Sequence, residues 1–129
     1  MAKHTALVFV EDAPDRTILW PCIIPVPMNG GQVSEQEVTA RFSVLPGDEH
    51  AKIVRQAAMD GTDMNVAVLT KVLRGFDALK NDAGETVPDD VAIATMMKRP
   101  YAVLGLIRGY MAMREGRVAK NAETSSEPS

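Results

Sequence analysis

The sequence predicts an α+β domain, with an antiparallel β-hairpin or small sheet in its first third and a bundle of about four helices after it. Two observations lead to this fold class. Two apolar runs of alternating polarity, 16–28 and 32–45, flank Asn29–Gly31. Further along the chain, the apolar spacing changes to the helical period, and prolines or acidic residues open successive segments. We therefore expect strands within about 5–45 and helices within about 46–115.

Length and composition limit the kind of molecule. The 129 residues fit a single domain, which we place at 1–116, followed by a polar tail, 117–129, that we expect to be disordered. A net charge of −3 with 46% apolar residues argues against a disordered acidic chain and a basic nucleic-acid-binding arm. The single cysteine, Cys22, excludes a disulfide framework and a cysteine-based zinc site. Without a signal peptide or a membrane-length apolar segment, the sequence predicts a soluble intracellular protein.

The hairpin can be predicted in some detail. Asn29-Gly30 between two apolar runs is typical of a two-residue type I′ turn. Pro21, Pro25 and Pro27 lie at odd positions, so the backbone donors that they lack all belong to one side of the strand. We expect this strand to pair through its even residues and to form an edge of the sheet. A further strand, Thr5–Glu11, is expected either beyond the second run or, as we favour, beside the start of the first.

Capping residues and apolar periodicity predict the helices. Acidic residues follow Pro46 and Pro88, Asp63 can cap a helix start, and Pro100 separates the last two helices. An apolar stripe extends the second helix through Leu79; its members are Leu69, Val72, Leu73 and Phe76. The four helices are expected at about 46–60, 63–79, 88–98 and 101–115.

The sequence does not predict catalysis or cofactor binding. In a calcium-loop alignment of 79–90, Leu79 and Ala83 occupy positions that require oxygen ligands. Asp89 and Asp90 stand at a helix start, where capping and the helix dipole explain carboxylates. We therefore expect no enzyme activity, no metal and no cofactor. The acidic net charge and the absence of interleaved aromatic residues argue against nucleic-acid binding.

Protein contacts are the function class that the sequence favours. Methionines cluster late in the chain, and their flexible side chains fill core gaps or make adaptable binding surfaces. Gly105 and Gly109 form a small-residue notch, against which another helix or another part of this chain could pack. Candidate partner-binding residues come from the hairpin and the late helices. They are Trp20, Ile24, Val26, Met28, Met96, Met97, Tyr101, Leu104 and Met111.

The order and spacing of seven segments resemble those of a known family. These segments are Ile18–Pro27, Glu37–Phe42, Val72–Phe76, Asn81–Pro88, Arg99–Tyr101, Leu106–Tyr110 and Gly116–Asn121. From about Thr17 to Asn121, the chain resembles the small tail assembly chaperones of long-tailed bacteriophages and prophages. It departs from their pattern at Phe76, where a tryptophan is expected, and after Pro88, where acidic residues replace Phe-Ser.

The resemblance implies a non-catalytic function. Members of this family are thought to coat the long, aggregation-prone tape measure protein before the tail tube polymerises around it, and are absent from the finished particle. The expected partner is the tape measure protein, with self-association, in the bacterial host cytoplasm and without nucleic acid or membrane. In many relatives a programmed frameshift adds an extension that recruits tail tube subunits, and Val118–Asn121 lies near the corresponding place.

Two other hypotheses compete with the chaperone. A permanent structural subunit of the tail or connector would be found inside purified particles. A small enzyme would lose turnover on substitution of Asp82, Glu85 or Asp89.

Overall fold

A computed structural model of the chain describes residues 16–116. This part of the protein consists of a three-stranded antiparallel sheet and four α-helices, so the predicted α+β class is confirmed. The elements in chain order are β1 (Thr17–Pro27), β2 (Val33–Ser43), α1 (Gly47–Asp60), α2 (Met64–Val72), β3 (Leu73–Phe76), α3 (Asp89–Met97) and α4 (Pro100–Arg114). The expected strand Thr5–Glu11 and the expected tail 117–129 lie outside the described residues.

β1 is an edge strand of the described sheet, as its prolines predict. The sheet order is β1-β2-β3, and β1 pairs with β2 along its whole length. At the two ends of this ladder, Val44 N donates to Arg16 O at 3.4 Å and Met28 N donates to Gln32 O at 2.8 Å. These pairs involve even positions, so the odd-numbered prolines lack donors on the side away from β2.

The turn of the hairpin differs from the expected type I′ turn. Pro27 pairs with Val33, so five residues connect the strands, and Asn29–Gly31 form a short 3-10 turn. Gly30 and Gly31 adopt φ values of 79° and 77°, whereas Asn29 does not have a positive φ. Because glycine adopts this conformation more readily than asparagine, the Gly-Gly pair occupies the left-handed positions and the turn becomes longer.

Three of the helices agree closely with prediction, but the second is shorter than expected. α2 begins after Asp63, whose carboxylate accepts a hydrogen bond from Val66 N at 3.0 Å, and it ends at Val72 instead of Leu79. The following Leu73–Phe76 forms β3, which pairs with Ala40–Phe42 near the C-terminal end of β2. The prediction of helix there was wrong, because the open edge of β2 offers this apolar segment backbone partners that outweigh its helical periodicity.

α4 crosses directly over β1 and completes the core. Its buried residues include Leu106 and Tyr110, which are fully inaccessible to solvent, and the Tyr110 ring packs edge-on against Phe42 at 5.5 Å between centroids. A Cβ atom added at Gly105 would lie 2.5 Å from Ile23 O, and one added at Gly109 would collide with Cys22 Sγ. The small-residue notch therefore receives β1 of the same chain.

Asp89 joins α3 to the sheet. Its Oδ1 accepts a hydrogen bond from Phe76 N at 3.1 Å, and its Oδ2 lies 3.4 Å from Arg41 Nη1. Gly75 lies against this carboxylate, which a Cβ atom would displace. Asp89, which we interpreted from the sequence as a helix-start carboxylate, therefore also accepts a hydrogen bond from a backbone donor of β3. This contact fixes α3 beside the sheet.

The contact between α4 and β1 can be tested by adding one methyl group. We expect Gly105→Ala to lower the free energy of unfolding by about 1–3 kcal/mol, because the backbone of β1 must move to admit the new atom. Gly47→Ala is the matched control, since a Cβ atom there meets nothing within 4 Å. Urea denaturation of both variants measures the difference. Equal stability of the two would contradict the close packing described here.

Candidate functional site

A groove of about 1,240 Å³ opens between the sheet and α3. Apolar side chains from both strands of the hairpin, from α3 and from the start of α4 line it. Prominent among them are Ile24, Val26, Val38, Val91, Met96 and Tyr101. Its volume exceeds the roughly 300–1,000 Å³ of typical small-molecule pockets.

The packing of α4 on β1 determines where the groove lies. Gly105 packs against Ile24, and Gly109 packs against Cys22, so the helix and the strand run in opposite directions. The first turn of α4, which carries Tyr101, therefore lies near Val26 at the far end of β1. There the face of the hairpin that carries the even-numbered side chains of β1 extends towards α3. The side chains of Val26 and Tyr101 remain partly exposed in the groove.

A tightly bonded loop forms the lip of the groove opposite the hairpin. Asn81 organises this loop: its Oδ1 accepts hydrogen bonds from Ala83 N at 2.9 Å and Glu85 N at 3.0 Å. Val87 N donates to Leu79 O at 2.8 Å and closes the base of the loop. The polar loop expected from the sequence is thus an ordered hairpin-like turn that holds its side chains in place.

The lip carries two carboxylates without a cationic partner. Asp82 makes no hydrogen bond or ion pair within residues 16–116, and Glu85 Oε1 accepts only from the neutral Asn81 Nδ2, at 3.3 Å. The nearby Lys80 Nζ donates to Thr86 Oγ1 at 3.2 Å. The lining of the groove thus combines apolar side chains with three carboxylates, Glu37, Asp82 and Glu85, and two cations, Lys80 and Arg99.

Four of the nine predicted partner-binding residues meet in the groove. They are Ile24, Val26, Met96 and Tyr101. Trp20 instead lines a separate cavity of about 90 Å³ between β1 and α4, and its Nε1 is buried without a partner. Met97 and Met111 pack against the core, while Met28 and Leu104 are exposed outside the groove. The nine residues therefore do not form a single surface.

Val91 is an exposed apolar residue of the groove that the sequence analysis missed. Its side chain is 50% exposed although it stands on a helix packed against the core. A signal was available, because α3 carries apolar residues on more than one face, as its sequence Asp-Asp-Val-Ala-Ile-Ala-Thr-Met-Met shows. Apolar residues on more than one face of a helix can contact more than one neighbour.

The buried nucleophile and titratable groups of the described chain lie away from the groove lip. Burial, with a further contribution from Glu37, raises the pKa of the Cys22 thiol to about 12, so the thiol stays protonated and unreactive near neutral pH. Tyr110 has a buried hydroxyl without a partner, and its pKa is raised by burial. Between residues 16 and 116, no three His, Cys, Asp or Glu side chains are grouped to hold a metal ion.

His50 connects α1 to the core through Tyr110. The two rings stack with centroids 6.0 Å apart, and His50 Nδ1 is buried without a hydrogen-bond partner. Burial, and then the nearby Arg114, lower the pKa of His50 below its ordinary value of 6.5. The neutral ring is therefore the form that the folded protein prefers.

Comparison with protein-family models, curated proteins and solved structures found no match to this chain. No helix in the described part of the chain is long and apolar enough to cross a membrane.

The lowered pKa of His50 predicts a loss of stability in mild acid. Because the folded-state pKa lies below the unfolded value, the stabilisation is fully present above about pH 6.5 and is lost progressively as the pH falls from there through the lowered folded-state pKa. We expect the free energy of unfolding to fall between about pH 7.5 and about pH 5.5, and to fall less in His50→Phe, which keeps a ring but cannot be protonated. Urea denaturation across this range measures both slopes, and identical slopes would contradict the assignment.

Proposed function

We propose that this protein is a non-catalytic tail assembly chaperone of a long-tailed bacteriophage or prophage, which keeps the tape measure protein soluble in the host cytoplasm. The observation that carries the proposal is the apolar groove of about 1,240 Å³ between the hairpin and α3. The order of segments along the chain, which resembles that of the chaperone family, supports the same function.

The groove has the character of an adaptable protein-binding surface. Met96 lies in its α3 wall, and the flexible thioether can adjust to apolar side chains of different shapes. Val91 and Tyr101 add an aliphatic and an aromatic contact that remain accessible. Such a surface suits a client whose many similar segments differ in detail.

A long client also explains why a single groove is sufficient. A tape measure protein offers many segments to many copies of a small chaperone, and neighbouring copies can contact one another. Modest affinity at each groove then yields tight overall coating, because successive binding events on one client are effectively intramolecular. The proposal includes displacement of the chaperone when the tube forms, so the protein is absent from the finished particle.

The test is a pull-down from cells that express the complete gene cluster, with bound proteins identified by mass spectrometry. We expect the wild-type chain to recover one very long, helix-rich protein and to be missing from purified particles. Val91→Gln should reduce recovery by about tenfold or more, because it places a polar group in the apolar groove. Val33→Gln is the matched control, since Val33 is 60% exposed and lies outside the groove.

Two results would contradict the proposal. Recovery of this chain within assembled tails or connectors would favour a structural virion subunit. Recovery of the same client by the wild type and Val91→Gln in equal amounts would show that the groove does not bind it.

A further inference from the structure

We propose that residues 73–79 are a conformational switch between the strand β3 and a continuation of α2, and that the carboxylate of Asp89 holds them in the strand form. In the helical form, α3 loses its hydrogen bond to β3, so the switch controls how firmly one wall of the groove is held. This inference goes beyond the proposed function and does not depend on the identity of the client.

α2 passes into β3 without a connecting residue. The helix ends at Val72 and the strand begins at Leu73, whose backbone N–H still donates to Leu69 O as it would in a continuing helix. The backbone becomes extended at Leu73, where φ is −78° and ψ is 117°. A change of backbone dihedral angles from this residue onwards would therefore continue α2 without a break.

The side chains of the segment suit both conformations. Leu73 and Phe76 are buried in the strand form. In a continued helix they would follow the buried residues Leu69 and Val72 at spacings of three and four, on the face that already packs against the core. The exposed Asp77 would lie outside this stripe. The pattern of buried and exposed residues therefore does not select the strand over the helix.

The strand form has irregularities that the helical form would remove. β3 pairs with Ala40–Phe42, and the register shifts between Arg41 and Phe42, which marks a β-bulge. Ala78, just after the strand, has a φ of 57°, a left-handed conformation that is unfavourable for a residue with a Cβ atom. A continued helix would give Ala78 right-handed angles, and alanine has the highest helix propensity of any residue.

Asp89 and Gly75 favour the strand form. Phe76 N donates to Asp89 Oδ1 at 3.1 Å in the strand, whereas in a continued helix it would donate to Val72 O. Gly75 lies against the same carboxylate, where a Cβ atom would collide with it, and glycine is unfavourable inside a helix. The two forms therefore compete for one backbone donor, and the carboxylate of Asp89 decides between them.

The switch acts on the groove because the segment is bonded to both of its neighbours. Asp77 N donates to Thr39 O at 2.9 Å, which joins the segment to β2, and the bond from Phe76 N to Asp89 joins it to α3. Both bonds are broken in the helical form. The lip, which begins at Leu79, and the α3 wall could then move away from the hairpin. Such a movement widens the groove without unfolding the contact between α4 and β1.

The test is NMR spectroscopy of the full-length chain, since ¹³Cα chemical shifts distinguish helix from strand residue by residue. We expect strand-like shifts at Leu73–Phe76 in the wild type, with the helical form populated at roughly 0.1–10% and measured by saturation transfer. Asp89→Ala should raise the helical population of residues 73–79 by about tenfold or more, because it removes a charged acceptor from the strand form. Asp90→Ala is the matched control, since Asp90 lies in the same first turn of α3.

A second variant acts on the same balance by a different route. Gly75→Ala places a Cβ atom against the Asp89 carboxylate and also improves the helix propensity of the segment. We expect the helical form to become the major one in this variant. Gly47→Ala is its control, because a Cβ atom there meets nothing within 4 Å.

The inference is supported if helical shifts at residues 73–79 increase in either variant and not in its control. It is overturned if both variants keep strand-like shifts there, if they lose those shifts without gaining helical ones, or if the controls change equally. Misfolding of one variant leaves the other to decide. None of these results depends on recovery of the long client in the pull-down, so the inference and the proposed function can fail separately.

Discussion

The close contact between α4 and β1 is the constraint on which the rest of the structure depends. Gly105 and Gly109 let the helix lie on the strand backbone, where side chains at either position would hold it away. This contact buries Tyr110 against Phe42 at one end of α4 and places Tyr101 in the groove at the other. The core and the candidate binding surface are therefore two consequences of one helix–strand crossing.

The groove is bounded by elements that are held in place by different means. The hairpin is supported by α4, whereas α3 is tied to β2 and β3 through the carboxylate of Asp89. The lip depends on the side chain of Asn81. Because these supports lie outside the apolar lining, residues such as Val91 are free to contact a partner without being needed for the core. This separation suits a surface that must bind and release a client.

Local patterns predicted much of the fold and part of the site. The odd-numbered prolines of β1 predicted its edge position, and α1 ended at residue 60 as expected, where Gly61 follows with a φ of 71°. The segment Leu73–Phe76 could not be assigned locally, because the apolar spacing that predicts a helix also suits a strand once β2 offers an open edge. The groove was only partly predictable: Ile24, Val26, Met96 and Tyr101 were identified singly, but their meeting depends on how distant segments pack.

The central claim is that the client lies in the groove between the hairpin and α3, and site-specific photocrosslinking in cells tests it most directly. A photoreactive phenylalanine derivative would replace Val91 in the groove or Val33 outside it, both of which are exposed. Our account predicts that position 91 crosslinks to one very long protein of the same gene cluster and that position 33 does not. Crosslinking of that protein from position 33, with none from position 91, would contradict the account.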